Sequence, residues 1–530
     1  MRPAPALWSW SPARWSPWVL AVAMALCGCS VLPMRDAVLD SDAFAADLQG
    51  PLGRLLRDST PAGVPAGHSG FRLLHDGAHA LDARAALAQA ARRSLDVQYY
   101  VVASDTAGTY FLSALRSAAA RGVRVRLLLD DLHADEADPV LLDLRAQANV
   151  EIRFFNPLSA RTGSMALRVV RSLHEFSRIN RRMHNKLFIA DGVFSVSGGR
   201  NVADEYFMRA SDANFIDMDV LAGGPVVQNQ SAVFDRYWNS AASYPASLLS
   251  RAGTPPSGRS GLARAIRWDS LDFAPGSPDI FGGRSLTKEM VEGRLDLVWA
   301  TSEFMADSPD KAQPRTARPD ARDSVSERVL QAFDAASREI FLSSPYFIPG
   351  PRALDTIRAA RSRNVQVTLV TNSFGASDEP LVHARYAPYR ALMLDHGVLV
   401  YEISPSLPGQ VSTLGAFKAS RGRLHSKLAI VDRRWFFIGS MNFDRRSATL
   451  NTEAGLLIDS PELVAQFTTL LELDRFRSAY RVVRAPDGAI QWLESSSEGG
   501  TRVHISEPGK TLGRTLWNAL LSLFIDEDWL

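Results

Sequence analysis

The chain is predicted to be an α/β protein built as two tandem domains. Each is a mixed sheet flanked by helices on both faces, and a pseudo-twofold axis relates the two. Three observations predict this. Apolar runs of strand length alternate with helical stretches along the body of the chain. The order of those elements occurs twice. A segment at residues 184–201, HNKLFIADGVFSVSGGRN, returns in the same register at 425–442 as HSKLAIVDRRWFFIGSMN.

The first 28 residues carry only two charges, Arg2 and Arg14. Residues 18–26 are an apolar run, too short to cross a bilayer comfortably. The next residues, Leu26-Cys27-Gly28-Cys29, resemble a bacterial lipoprotein cleavage box. The resemblance implies a signal peptide over 1–28 and Cys29 as the lipidated first mature residue. It also implies a membrane anchor facing the periplasm of a Gram-negative bacterium. Ser30 resembles the pattern sent to the outer membrane. The plainer alternative is an ordinary signal peptide or a short membrane anchor. Both cysteines lie at 27 and 29, so the rest of the chain has no disulfide and no Cys-based metal site.

Removing Arg2 and Arg14 from the 59 basic residues leaves 57 against 57 acidic ones, a formal charge of zero. A general nucleic-acid binder is usually clearly basic, so nucleic acid is not expected as a partner. With 46% apolar residues, the chain can bury two full cores.

Residues 29–66 carry scattered Pro, Gly and charge and read as a tether. The first domain is assigned to 67–290 and the second to 291–480, with 481–530 as a C-terminal tail. In the first, a helix over 82–93 precedes a strand over 95–102, LDVQYYVV. A helix over 109–121 is closed by Gly122, and strands follow at 123–129 and 149–155. In the second, a helix over 324–337 precedes a strand at 340–347, a helix at 352–363 and a strand at 365–371. A helix at 388–395 and a strand at 397–403 complete it. Residues 252–284 read as irregular and 307–323 as an exposed loop. The final run, 516–530, LWNALLSLFIDEDWL, either lies on a bilayer through Trp517 and Phe524 or packs on the body.

The repeated segment carries the chemistry. Counting from His184 and His425, a Lys lies at +2 (Lys186, Lys427), an Asp at +7 (Asp191, Asp432) and a Gly at +14. A small residue follows at +15 (Gly199, Ser440) and an Asn at +17 (Asn201, Asn442). Residues i and i+2 of a strand share a face, so each His and Lys point the same way. Asp191-Gly192 is a hairpin signal, and Asp432-Arg433 takes its place in the second copy. Brought together, two His, two Lys and two Asn make a phosphate site. The lysines and amides donate to phosphoryl oxygens. One neutral His attacks phosphorus and the other, protonated, releases an alcohol. Lysines take the place of a metal, and no two-metal carboxylate cluster is evident. The two Asp belong to the catalytic motif, although their place after the strand suits a structural role.

The duplicated H-x-K-x4-D, together with LDVQYY, RRMHNK, GGRN, GSMNFDRRS and NTE, resembles the phospholipase D superfamily. Within it, the resemblance is to the lipid phosphatidyltransferase branch, the bacterial cardiolipin synthases. It implies two tandem phospholipase D-type domains and a covalent phosphatidyl-histidine. It implies phosphatidylglycerol as substrate, phosphatidylethanolamine as a second donor, and no cofactor. His184, Lys186, Asn201, His425, Lys427 and Asn442 form the pocket by this resemblance, with Ser440 beside the phosphate. An acidic residue that orients a catalytic His is matched by Glu453 in NTE. Asp219, in DMD, is its expected first-half counterpart, at +35 from its His against +28 for Glu453. A hydrolase with water as acceptor, a nuclease and a silent lipid-binding lipoprotein are the alternatives.

Two sites outside the motif keep double readings. Asp130-Asp131 is either a site or a pair of strand-end carboxylates. Arg178, Arg181 and Arg182 before one His, and Lys418, Arg421 and Arg423 before the other, are either solvated or headgroup contacts.

Overall fold

The computed structural model describes residues 31–35, 38–133, 139–161, 165–249, 275, 278–313, 323–405, 420–474, 478–495 and 500–510. The leader with Cys29, the run at 516–530, Lys418 and most of 252–284 lie outside the described residues.

The first half contributes β1 (Ser69–Leu74), β2 (Ser94–Tyr99), β3 (Arg124–Asp130), β4 (Val150–Phe155), β5 (Leu187–Ala190), β6 (Phe194–Gly198), β7 (Ala213–Ile216), β8 (Asp219–Gly223) and β9 (Ser243–Pro245). The second contributes β10 (Val298–Ala306), β11 (Glu339–Ser343), β12 (Gln366–Asn372), β13 (Leu399–Ile403), β14 (Arg421–Leu424), β15 (Leu428–Val431), β16 (Trp435–Gly439) and β17 (Ala454–Asp459). Three more strands, β18 (Ala479–Arg484), β19 (Ile490–Ser495) and β20 (Thr501–His504), follow.

In space the first half reads β9-β4-β3-β2-β5-β6-β8-β1. The second reads β10-β17-β16-β15-β11-β12-β13-β18-β19-β20. Antiparallel pairing of β1 with β10 joins them into one sheet, so the two orders mirror each other about that pair. Only β2-β3-β4 and β11-β12-β13 run parallel within it. This is the pseudo-twofold arrangement that the repeated element order implies.

Helices cover both faces. In the first half, α1 (Pro51–Ser59), α2 (Gly77–Ala90) and α3 (Thr106–Ala120) lie on one side and α4 (Pro225–Trp238) on the other. In the second, α5 (Val325–Asp334), α6 (Pro351–Ser362) and α7 (Pro380–Asp395) cover one side. The short α8 (Arg445–Thr449) and the long α9 (Pro461–Asp474) follow. Side-chain caps set several starts: Asp76 accepts from Ala78 N, Asp105 from Gly108 N and Ser324 from Glu327 N. One apolar cluster contains Phe71, Val220, Phe234 and Trp238 of the first half with Ile430, Phe436, Leu456 and Phe467 of the second. The halves therefore share a core and do not merely touch. Among the described residues no helix is long and apolar enough to cross a membrane.

Four sequence expectations are corrected. Much of the tether is docked on the body. Leu52, Leu55 and Leu56 sit on the inner face of α1, and Arg126 and Arg153 donate to the carbonyls of Ser41 and Leu39. Spacing of i, i+3, i+4 was present there but masked by Pro, Gly and charge. The tail is not all tail: β18 to β20 extend the sheet, and Trp492 is buried in the second core. Asp307 does not begin an exposed loop. It is buried and accepts from Lys311 Nζ and Val325 N. The helix expected at 388–395 begins earlier, at Pro380, and carries Pro388 inside it.

Candidate active site

Each His follows a strand-like stretch that crosses to the other half. β14 pairs in parallel with β7, and His425 N donates to Ile216 O at 2.8 Å. In the mirror position Met183 bridges Thr452, and His184 N donates to Thr452 O at 2.9 Å. The two exchanged connections place each His against a carboxylate of the opposite half. His184 Nδ1 meets Glu453 Oε2 at 2.9 Å, and His425 Nδ1 meets Asp217 Oδ2 at 2.6 Å. In both rings Nε2 is the nitrogen left for chemistry, because Nδ1 is held by an acid.

Asp219 is therefore not the partner of His425. It takes part in buried ion pairs with Arg84 at 2.9 Å and Arg200 at 3.6 Å. Strand register explains the misassignment. Gly198 pairs with Asp219, and its equivalent Gly439 pairs with Gly455. Two residues before those partners stand Asp217 and Glu453. Counting from His hides this equivalence, whereas aligning β8 with β17 reveals it.

Asp191 and Asp432 touch no reacting atom. Asp191 accepts from the backbone N–H of Arg92, Arg93 and Ser94 at 2.8 to 2.9 Å. Asp432 does the same for Ser337, Arg338 and Glu339 at 2.7 to 3.0 Å. Each ties the hairpin to the start of the neighbouring strand, so both are structural and the catalytic assignment is corrected. Asp191-Gly192 and Asp432-Arg433 all have positive φ, as a two-residue hairpin turn requires.

Lys186 Nζ donates to His184 O at 2.6 Å, and Lys427 Nζ lies 3.0 Å from His425 Nδ1. Asn201 Oδ1 accepts from Val101 N at 3.3 Å, and its amide donates to Tyr206 OH at 2.9 Å. Asn442 is buried, and its Oδ1 has no hydrogen-bond partner among the described residues. Ser440 Oγ donates to Glu453, so it supports the orienting acid.

Several residues escaped sequence reasoning. Ser447 Oγ donates to Glu453 Oε1 at 2.8 Å, and Glu453 N donates to Asp307 Oδ2 at 3.0 Å. Tyr206 OH lies 3.4 Å from His425 Nε2, and Tyr100 packs edge-on against the His184 ring. The one available signal was NFDRRS, whose Ser447 lies one turn from Asp444. The double reading of Asp130-Asp131 resolves as structural. Asp130 pairs with the buried Arg182, and Asp131 with Arg161 and Arg168. Arg178 pairs with Glu175, and Arg421 with Asp212.

Electrostatics follow from burial. Burial pushes His184 down to about 4, against the pull of Glu453. It pushes Lys186 down to about 7 and Lys427 to about 8. His425 is pushed down by burial and Lys427, with Asp217 opposing. Burial would raise Asp217, but His425 and Lys427 outweigh it and hold the carboxyl at about 2. Burial likewise opposes ionisation of Glu453, yet His184 and Lys186 hold it below its ordinary value. The site thus has two ionised acids behind two imidazoles, and two lysines that an incoming anion would recharge. Among the described residues no three His, Cys, Asp or Glu side chains are grouped to hold a metal.

Comparison with known proteins agrees with this geometry. The family described as "Cardiolipin synthase, PLD-like domain" matches residues 85–238 and 329–475. Cardiolipin synthase C of Escherichia coli (strain K12) is 35% identical over 433 residues, 81% of this chain and 89% of that one. Cardiolipin synthase B of Salmonella typhi is 26% identical over 373 residues, 70% and 72% of the two chains. Among solved structures, phosphatidylserine synthase of Haemophilus influenzae Rd KW20 shares the fold. Its TM-score is 0.51 at 14% identity, over 77% of this chain and 86% of that one. With two matched segments carrying the two His/Lys/Asn sets, the chain belongs to the cardiolipin synthase, PLD-like domain family.

Proposed function

We propose that this phospholipid phosphatidyltransferase makes cardiolipin from two molecules of phosphatidylglycerol through a phosphatidyl-histidine, with phosphatidylethanolamine as a second donor. The observation that carries the reading is the pair of imidazoles, each with Nδ1 held by an acid from the opposite half. His184 Nε2 attacks phosphorus, and its lone pair forms the P–N bond. The bond from phosphorus to the headgroup oxygen breaks, and His425 Nε2–H gives its proton to the departing glycerol. Glu453 stabilises the imidazolium that His184 becomes. The second phosphatidylglycerol then enters, and its glycerol hydroxyl gives its proton to His425. That oxygen attacks phosphorus, the P–N bond breaks, and cardiolipin leaves. Lys186, Lys427, Asn201 and Asn442 hold the phosphoryl oxygens throughout.

Downward pressure on His184 favours its neutral form, which is the form a nucleophile needs. We further propose that Cys29 is lipidated and anchors the enzyme at a periplasmic membrane face, with the outer membrane favoured. Labelled palmitate should enter the protein and disappear with Cys29→Ser but not with Cys27→Ser. The transfer reading is tested by mass spectrometry of products from phosphatidylglycerol vesicles. Cardiolipin should dominate over phosphatidic acid. Phosphatidic acid as main product at saturating phosphatidylglycerol would make the enzyme a hydrolase.

A further inference from the structure

We propose that Lys311 is a positioning residue for the attacking imidazole: its ammonium fixes both supports of Glu453, and through that carboxylate it sets the aim of His184 Nε2. The inference rests on the phosphatidyl-histidine reading above. Lys311 lies in a tight turn at Pro309–Ala312, soon after β10, and Ser308 opens the turn by accepting from Asp310 N at 3.2 Å. The turn carries the lysine back over Asp307, four residues earlier. Lys311 Nζ donates to Asp307 Oδ2 at 2.6 Å and to Ser447 O at 2.8 Å. These two residues hold Glu453. Asp307 Oδ2 accepts from Glu453 N at 3.0 Å, Asp307 N donates to Glu453 O at 2.9 Å, and Ser447 Oγ reaches the carboxylate at 2.8 Å. The backbone of Lys311 is tied to the other member of the pair. Its carbonyl accepts from Arg181 Nη1 at 2.9 Å. The next residue, Arg182, accepts from Thr452 N through its carbonyl at 2.9 Å, two positions before His184. One residue thus joins the stretch that carries His184 to the stretch that carries its acid.

Charge explains why an ammonium stands there. Asp307 and Glu453 are both buried, and neighbouring carboxylates in such a place favour proton uptake. Burial pushes Asp307 up, Lys311 pulls it down, and Glu453 adds to the upward push. Asp444, which caps Ser447 N, is pushed up to about 6 by burial, with Glu453 adding. The other charges around this knot are Arg446, which faces Asp444, and His184 and Lys186, which face Glu453. Lys311 is bonded to Asp307 directly. The other half-site sets a buried cation behind its orienting acid by different means: Arg200 donates to the carbonyls of Asp217 and Tyr206. A neutral side chain at 311 would let Asp307 take a proton and weaken its hold on Glu453 N. It would also free Ser447 O, and with it the hydroxyl that steadies the carboxylate.

The test uses the full chain and vesicles of phosphatidylglycerol labelled in its phosphate. Lys311→Met should slow the appearance of label on histidine by roughly ten- to a hundredfold, with KM changed by about twofold or less. It should also move the acid limb of kcat/KM to higher pH, because loss of the cation raises Asp307 and Glu453 and both then protonate earlier as pH falls. Lys311→Arg, which restores the charge, should return the limb to its wild-type place and recover most of the rate. A lysine that only props the fold would lower the active fraction and leave the limb where it is. That result overturns the proposal, as does an unchanged rate in Lys311→Met. If Lys311→Met does not fold, Lys311→Gln keeps a donor for Ser447 O and removes only the charge, and an unmoved limb there overturns the proposal equally. Wild-type enzyme that forms phosphatidyl-histidine but releases phosphatidic acid would sink the transferase reading and leave the role of Lys311 standing. Cardiolipin from wild type, with a fast and unshifted Lys311→Met, would do the reverse.

Discussion

The two half-sites hold the same reactive groups on different supports. On one side His184 leans on Glu453, whose carboxylate is also bonded by Ser440 and Ser447 and whose backbone N–H is held by Asp307. On the other, His425 leans on Asp217, one methylene shorter, with no serine bonded to it among the described residues. Gly199 stands where the second half has Ser440. A Cβ there would come within 2.1 Å of Asp217 Oδ1. The short acid and the glycine therefore go together, as the long acid and the serine do. Tyr206 OH stands by His425 Nε2, whereas the Tyr100 ring makes a T-shaped contact with the His184 ring. The motif aspartates, by contrast, cap three backbone N–H groups each in the same way. The duplicated scaffold has stayed alike where it sets geometry and has diverged where it sets proton affinity. That divergence suits one His to attack and the other to manage the proton.

The largest effects should come from the histidines. His184→Ala and His425→Ala should each lower turnover of phosphatidylglycerol about a thousandfold or more. An activated substrate should separate them. With a p-nitrophenyl leaving group, which needs no proton, His425→Ala should regain p-nitrophenol release and His184→Ala should not. Equal behaviour of the two would break the division of roles.

Next come the acids. Asp217→Asn and Glu453→Gln should each reduce kcat by roughly a hundredfold or more with little change in Tm, because the ring loses its orienting acceptor. Asp219→Asn should act on the fold. It leaves Arg84 and Arg200 buried beside a neutral group, at a cost of roughly 3–5 kcal/mol in stability. Kinetics and thermal unfolding of the three variants distinguish Asp217 from Asp219.

The pH profile of kcat/KM should be moderately asymmetric. His184 protonates only near 4, so the acid limb lies there. The lysines must be charged to hold phosphate. Lys186 at about 7 and Lys427 at about 8 lose charge as pH rises, and the acid His425, itself pushed down by burial and Lys427, loses its proton before them, so the alkaline limb begins below neutrality. Lys186→Arg should make that limb shallower without moving its start, since arginine stays charged and His425 sets where the limb begins. A flat profile up to pH 9 would contradict the burial argument.

The smallest effect concerns the hairpins. Arg433 holds φ +57°, where the first copy has Gly192 at +65°. Arg433→Gly should therefore raise stability by about 1 kcal/mol or less. Gly192→Ala should lose more than that, because a Cβ there also meets Ala46 Cα at 3.2 Å. Denaturant unfolding of the two variants measures the difference.

Much of this was legible in the sequence. The repeated register alone brought out His184, Lys186, Asn201 and their counterparts, because local strand geometry fixes which residues share a face. The alternation of strands and helices gave the parallel units to within a few residues. What the sequence concealed was long-range. Asp217 becomes the partner of His425 only through the β7–β14 ladder, which pairs residues more than 200 positions apart. Asp307 supports Glu453 across 146 residues. The docking of residues 39–59 was hidden by composition, since three leucines on one face count for little among prolines and charges.

The division of labour between the half-sites is tested most directly by trapping the intermediate. The protein is mixed with phosphatidylglycerol labelled in its phosphate, quenched with acid within milliseconds to seconds, and digested for peptide mapping. The label should sit on His184 in wild type and be absent in His184→Ala. Label on His425, or on no histidine under conditions where cardiolipin forms, would contradict the assignment.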